Sequence, residues 1–317
     1  MPLRYKFYPK NYNFIAMNYK QNSDCVAKTS EDVAQELCKA QFLCRATRWN
    51  AALYTFDGGE CPALMREVWR LRTQAFNNVG VAMDDVARVE LGDVNGCFRQ
   101  LILWDCEAGQ IAGGYRYAVG REAAVSALSL SRYYEASERF VEEFLPDGLE
   151  LSRTFISPDY QRNAGVRTLY ALDSLWEGLA RVVEQSDVRH LFGRVTLYPS
   201  LGVRARNLIV GFMRYAFPSR GELMWARHPF RCGISRRSYE RIFVGDTVAE
   251  NYKILLCRVR EMGQNVPPII SSYMRLSPSM RVFESYRNYD LGGVVESAIM
   301  LSVDEFYEEI KRRYMKK

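Results

Sequence analysis

Histidine is nearly missing: the 317 residues hold two, His190 and His228, and neither stands beside a set of metal-ligand residues. A histidine-rich zinc or iron site is not expected. Most Ser-His-Asp schemes fall with it, because they need a histidine beside an exposed nucleophile, whereas His190 sits at the mouth of an apolar strand. Carboxylates, backbone amides or water are left for acid–base work. No run of about 18 uncharged apolar residues occurs, so no membrane span is expected. The start, MPLRYKFYPK, is basic and aromatic without the apolar core of a signal peptide, which reads as a cytoplasmic chain. The eight cysteines, at 25, 38, 44, 61, 97, 106, 232 and 257, form no CxxC pair and read as reduced, buried thiols acting as small core residues. Internal repeats and low-complexity linkers are also absent.

What is present fits a globular α/β chain. Hydrophobic residues make up 48% and charged residues 25%, too apolar for disorder. The length admits one elaborated domain or a catalytic domain with an appended layer. The net charge of +6 is unevenly placed. From Arg204 to Arg241 there are nine arginines against two acids, Glu222 and Glu240. That stretch reads either as a basic face for an acidic partner or as a solvated helical face. Nucleic acid is not expected, since no helix-turn-helix, RNP or zinc-finger signature accompanies the charge.

Residues 1–28 read as an extended arm. Thr29-Ser30-Glu31-Asp32 carries N-cap chemistry with acids in the first turn, which predicts a helix running to Arg45. Pro62 opens a second helix with Leu64, Val68, Leu71 and Phe76 near the helical period. Leu101–Trp104 and Ile111–Tyr117 flank Glu107-Ala108-Gly109-Gln110 and predict an antiparallel hairpin. Leu149–Ile156 is a strand ended by Ser157-Pro158-Asp159. A helix over Val166–Val183, a strand over Leu191–Tyr198 and a helix over Val203–Phe217 follow, then a helix over Thr247–Met262 ended by Gly263. Beyond Pro267-Pro268 lie a short helix, strands near 280–284 and 294–303, and a charged helix from Asp304. The expected organisation is an N-terminal arm and helix over 1–60 followed by an α/β unit over 61–317. Gln161-Arg162-Asn163-Ala164-Gly165, between strand and helix, reads either as a phosphate cradle or as turn geometry alone.

The run GLELSRTFISPDYQRNAGVRTLYALDSLWEGLARVV from Gly148, with the hairpin before it and HLFGRVTLYPSL after it, resembles the GNAT-like acyltransferases. Within them it is similar to the ornithine and glycine N-acyltransferases of bacterial lipid synthesis, often labelled hemolysins. The resemblance spans roughly Arg66 to Asp304. Its most particular pieces are Glu-Leu-Ser-Arg, Ser-Pro-Asp-Tyr-Gln, Leu-Trp-Glu-Gly-Leu, Leu-Tyr-Pro and the late Val-Pro-Pro-Ile. Trp69-Arg70-Leu71-Arg72 with Phe76, Asp84-Asp85 and Gly113-Gly114-Tyr115-Arg116 are shared with acyl-homoserine lactone synthases. The resemblance implies a GNAT-like mixed, splayed central β-sheet flanked by helices, with an N-terminal helical extension and a C-terminal elaboration. It also implies an opening in that sheet for a pantetheine arm.

The implied reaction moves an acyl group from an acyl-phosphopantetheine co-substrate to the amine of a small amino acid such as glycine or ornithine, with no permanently bound cofactor. The phosphate loop departs from the family's pattern, with Ala164 where a glycine is usual. That favours an acyl carrier protein over free coenzyme A as donor. Glu150 is the candidate base, acting directly or through water, with Ser152 on the same strand face. Arg153 and Arg116 are candidates for the acceptor carboxylate or are sheet-edge charges. Phe155, Ile156, Gln161, Arg162, Asn163, Ala164 and Gly165 would hold the donor, and backbone N–H groups near Thr154–Ser157 would face the oxyanion. Arg231, Arg236, Arg237 and Arg241 would dock the carrier protein. Arg70 and Arg72 read as helix-surface residues, and Trp69, Phe76 and Trp176 as core. Two other functions stay open: a lactone synthase using S-adenosylmethionine, and a non-catalytic lipid-binding protein. The basic, aromatic first 20 residues are a candidate peripheral contact with the inner membrane face.

Overall fold

Short stretches rich in β-branched and aromatic residues pair into one eight-stranded sheet in the computed structural model, which describes residues 4–5, 29–78, 80, 91–94, 96–161, 166–219 and 223–315. The strands are β1 (Arg4–Tyr5), β2 (Gln41–Arg45), β3 (Ala51–Asp57), β4 (Arg99–Asp105), β5 (Gln110–Val119), β6 (Tyr134–Ser137), β7 (Gly148–Ile156), β8 (His190–Leu197), β9 (Met224–Ala226), β10 (Arg281–Asn288) and β11 (Val294–Ser302). The helices are α1 (Thr29–Leu37), α2 (Pro62–Asn77), α3 (Leu91–Val94), α4 (Pro158–Gln161), α5 (Val166–Ser186), α6 (Val203–Ala216), α7 (Arg236–Ile242), α8 (Val248–Glu261), α9 (Pro268–Met274) and α10 (Glu308–Tyr314). The main sheet runs β10-β11-β8-β7-β5-β4-β3-β2, and β1-β6-β9 form a separate small sheet. Every pairing in the main sheet is antiparallel except β7 with β8.

Helices cover one face of the main sheet. Leu175, Leu179, Val182 and Val183 of α5 pack on Leu53, Leu101, Leu103 and Leu149, while α6, α8 and α9 add Ile209, Leu255 and Ile270 to the same core. Leu53, Leu101, Leu149 and Leu175 are wholly buried, each contributing about 2 kcal/mol of transfer free energy. On the other face α2 covers Ile102 with Leu64, Met65 and Val68. Phe192, Ala298 and Met300 meet Leu130, Tyr134 and Phe140 there. The first N–H groups of α2, which have no intrahelical partner, donate from Ala63 and Leu64 to the Glu36 carboxylate at 2.7 and 2.9 Å. Helix α8 begins in a capping box made by Thr247 and Glu250.

Three expectations change. The helix expected from Thr29 to Arg45 stops at Leu37, and Gln41–Arg45 is an edge strand, because pairing with the buried strand β3 outweighs local helix preference. The thiols are not uniformly buried: Cys61 and Cys232 are, Cys38 and Cys257 are exposed, and Cys44, Cys97 and Cys106 lie between. Cys38 falls just past the end of α1 and Cys257 on an exposed position of α8. Arg72 is a core residue, 3% exposed, because Asp93 and Gln100 receive its guanidinium beneath α2. Arg70 does lie on the surface, bonded to Glu67 and Gln74. Cys25, Asp84-Asp85 and nearly all of the arm lie outside the described residues.

Candidate active site

The sheet opens where β7 meets β8. Their parallel ladder holds from Gly148↔His190 to Leu151↔Gly193 and then ends, although each strand continues for several residues. Past that point β8 stays paired with β11 and β7 with β5, so the two strands diverge. A bulge marks the same place on β7. Between Arg116↔Ser152 and Gly114↔Phe155, β5 spends one residue and β7 two, Arg153 and Thr154. Arg153 takes φ of 54°, a left-handed conformation uncommon for a residue with a side chain. Gly114 is required opposite Phe155, just past the bulge, since an added Cβ would lie 2.7 Å from the Leu101 carbonyl oxygen and 3.0 Å from the Phe155 ring.

A cavity of about 290 Å³ occupies the divergence. Leu151 to Ile156 of β7 form one wall and Arg194, Val195, Thr196 and Tyr198 the other. Pro267, Pro268, Ile269 and Tyr273 close it on the helical side, and Phe76 and Glu296 also line it. Of the sequence candidates, Ser152, Arg153, Phe155, Ile156 and Gln161 are therefore brought together at one cavity. The Gln161 side chain donates to the Ile156 carbonyl at 2.6 Å. Arg162, Asn163, Ala164 and Gly165 lie outside the described residues. Arg231, Arg236, Arg237 and Arg241 are all exposed, with Arg236 paired to Glu240.

Glu150 and Arg116 stand back from the cavity. Glu150 is fully buried, and its carboxylate accepts from the Ser129 and Leu130 amides at 2.9 and 3.0 Å and from the Ser129 hydroxyl. Burial pushes its pKa up, only partly opposed by Ser129 and by Arg194 and Arg116. Glu150, the candidate base, does not line the cavity. Glu150 reaches the cavity wall through Ser129, whose hydroxyl accepts from Arg194 at 3.3 Å. Arg116 donates to Ser152 at 2.9 Å and pairs with buried Asp93, which also receives Trp69, Arg72 and Gln100. It holds Ser152 and does not itself line the cavity.

Sequence reasoning missed Arg194 and Glu296, the charged pair on the opposite wall. Their side chains are 7% and 4% exposed and lie 3.8 Å apart. Arg194 also donates to the Tyr286 hydroxyl at 3.0 Å and lies 5.2 Å from the centre of the Tyr133 ring. Glu296 accepts from Thr196 at 3.0 Å on one oxygen, and from Asn288 at 2.8 Å and the Tyr286 hydroxyl on the other. Burial alone would raise the pKa of Glu296, but Arg194 and the Tyr286 and Asn288 hydrogen bonds outweigh it and hold the carboxyl below its ordinary value. Burial, with Glu296 nearby, pushes the Tyr198 hydroxyl up to about 12. A signal for the pair was present: each is the lone charge in an otherwise apolar strand core, and a buried charge needs a partner.

Chemically, the cavity joins a strand interruption, two guanidiniums from opposite walls, Arg153 and Arg194, and an ionised carboxylate. Among the described residues no cluster of histidine, cysteine or acidic side chains forms a metal site.

Residues 71–171 match the family described as an acetyltransferase (GNAT) domain. A glycine N(alpha)-acyltransferase of Bacteroides thetaiotaomicron is 37% identical over 299 residues, covering 89% of this chain and 88% of that protein. Another of the same name, from Phocaeicola vulgatus, is 33% identical over 301 residues, covering 92% of each. Among solved structures, FeeM, an N-acyl amino acid synthase from uncultured soil microbes, matches with TM-score 0.40 and 10% identity over 80% of this chain and 92% of that one.

Proposed function

Because the chain belongs to the glycine N(alpha)-acyltransferase family of GNAT-fold N-acyltransferases, we propose that it acylates the α-amine of glycine or another small amino acid, such as ornithine, from an acyl-phosphopantetheine thioester. The observation that carries this reading is the divergence of β7 from β8 beyond Leu151, with a cavity between them. An extended pantetheine arm is the size of ligand that lies between two strands and brings a thioester carbonyl to unpaired strand backbone.

A thioester is already activated, so the enzyme has to deliver a neutral amine at attack distance and receive the charge that develops on the carbonyl oxygen. The amine nitrogen attacks the carbonyl carbon, the C–N bond forms, the C–S bond breaks, and the proton that the nitrogen sheds on becoming an amide goes to the departing thiolate, which leaves as the thiol. Backbone N–H groups beyond the Arg153 bulge face the developing oxyanion. Arg153 and Arg194 take the acceptor carboxylate from the two walls. Glu296 receives the ammonium proton, directly or through water: Thr196 occupies one acceptor position of Oε1 and leaves another open. Glu150 acts by position, holding Ser129 against Arg194.

The exposed arginines at 231, 236, 237 and 241 support an acidic acyl carrier protein as the donor's bearer. The product is an amphiphile suited to lipid synthesis, formed in the cytoplasm with peripheral contact at the inner membrane face. No helix among the described residues is long and apolar enough to cross a membrane. Incubation with a panel of acyl carrier and coenzyme A thioesters and amino acids, read by mass spectrometry, is expected to yield N-acyl amino acids without methylthioadenosine. Release of methylthioadenosine with a lactone, or lipid uptake with no amide formed, would refute the assignment.

A further inference from the structure

Glu296 is met on both sides by residues that the sheet register places directly opposite it. Tyr286 of β10 and Thr196 of β8 are its partners on the two strands flanking β11, and side chains opposite one another in a sheet share a face. Asn288 and Arg194 lie two residues along those same strands and so on that face too. The two oxygens of the carboxylate are treated differently. Oε2 accepts from the Tyr286 hydroxyl and from Asn288 Nδ2 at 2.8 Å, which takes up both of its lone pairs. Oε1 accepts from Thr196 alone among the described residues, at 3.0 Å.

Tyr286 holds the second charge of the wall as well. Its hydroxyl accepts from Arg194 at 3.0 Å while donating to Glu296, so one phenol bridges a guanidinium and a carboxylate that are themselves 3.8 Å apart. The phenol is held in turn: it is buried, stacks on Tyr133 with ring centres 4.6 Å apart, and meets Tyr134 edge-on at 5.3 Å. Arg194 and Glu296 both line the cavity, whereas Tyr286 and Asn288 stand behind them. Whatever these two do for the reaction, they do through the charged pair.

We propose that Tyr286 and Asn288 are positioning residues of the acyl transfer, clamping Oε2 of Glu296 so that Oε1 keeps an open lone pair for the amine and Arg194 keeps its spacing from the carboxylate. This rests on the reading of Glu296 as proton acceptor given above. A hydrogen bond donated to a carboxylate favours its ionised form, and both clamp donors act on Glu296 in that direction. The other charged and titratable groups around it are Arg194 of β8, Tyr198 just past the end of β8, Arg153 of β7, and Tyr134 of β6. Glu150 reaches it through Ser129 and Arg194. Removing one clamp donor therefore moves the titration of Glu296 to higher pH, and the acid limb of kcat moves with it.

The test follows kcat and both KM values against pH in the full chain, in Tyr286→Phe and Asn288→Ala, and in Tyr134→Phe as a control. The Tyr134 hydroxyl serves backbone groups, accepting from the Ala298 amide at 2.9 Å and donating to the Glu284 carbonyl at 2.7 Å. Each clamp variant is expected to lose at least about threefold in kcat on the acid limb and to stay within about threefold of the parent on the plateau at higher pH. Tyr286→Phe is also expected to raise the amino-acid KM, because Arg194 loses an anchor, and to leave the thioester KM as it was. Tyr134→Phe is expected to melt lower with its acid limb in place. Limbs that stay put in the clamp variants while Glu296→Gln is inactive, or a loss of rate that is uniform with pH, overturn the proposal. Should one clamp variant fail to fold by circular dichroism, the other carries the same test. If Glu296→Gln keeps full turnover, the proton-acceptor reading fails instead. A carboxyl NMR titration of Glu296 then decides the clamp by itself: a higher titration in the variants upholds it, and an unchanged one removes it.

Discussion

Glu150 and Glu296 are carboxylates in neighbouring parts of one sheet whose surroundings push them in opposite directions. Glu150 is raised by burial, and Glu296 is lowered because Arg194 and two hydrogen bonds outweigh its burial. Glu296→Gln is expected to lower kcat by roughly 10² or more, as loss of a proton acceptor does. Glu150→Gln is expected to raise the amino-acid KM roughly tenfold and to leave kcat within a few fold, as misplacement of a binding group does. Steady-state kinetics decide, and the reverse pattern would return the base to Glu150. Proton linkage gives an independent check. A carboxyl with a raised native pKa contributes stability that is fully present below its unfolded pKa and is lost as pH rises through the native value. The melting temperature of the parent relative to Glu150→Gln should therefore fall as pH climbs out of the ordinary carboxylate range. A constant difference would contradict the raised pKa. At this scale Glu150, Ser152, Arg153 and Phe155 could be picked out along one strand because the resemblance runs through that strand. Arg194 and Glu296 could not be paired, since their adjacency depends on β11 returning beside β8 from about a hundred residues further along the chain.

Among the elements, α5 braces the β7 side of the crevice, packing on β7 and on β5, β4, β3 and β2. It approaches closely at Gly178, where an added Cβ would stand 2.3 Å from a Leu53 methyl and 3.1 Å from Leu101. Gly178→Ala gains helix propensity but overpacks that contact, and a net loss of about 1–3 kcal/mol is expected. Thermal melting checks it; an unchanged or higher melting temperature would mean that α5 can lift from β3 without consequence. The elements that were legible are those with a single strong period: the hairpin of β4 and β5, helix α5, and the strand-helix order that follows. Among the strands of the main sheet, those that escaped or changed type were β3, a short run with no clear alternation, and β2, whose residues follow an N-cap signal that belongs only to α1. Both depend on partners across the sheet, so local preference carries little information about them.

For the molecule as a whole, the net charge of +6 and the exposed arginines in and beside α7 would make association with the proposed acidic carrier an electrostatic matter. Carrier affinity should fall as ionic strength rises from low salt past physiological, where the Debye length shrinks to about 8 Å. The KM for a small soluble thioester should change less. Equal salt dependence for both donors would remove Arg231, Arg236, Arg237 and Arg241 from carrier docking.

The seam between β7 and β8 has only four residue pairs, after which each strand keeps its other neighbour. Among the described residues no strand pairing has to be unzipped for a ligand to enter: the crevice is there because the ladder stops. Under the proposed reading, attraction between an incoming thioester and the crevice walls is thus undiminished by prying strands apart.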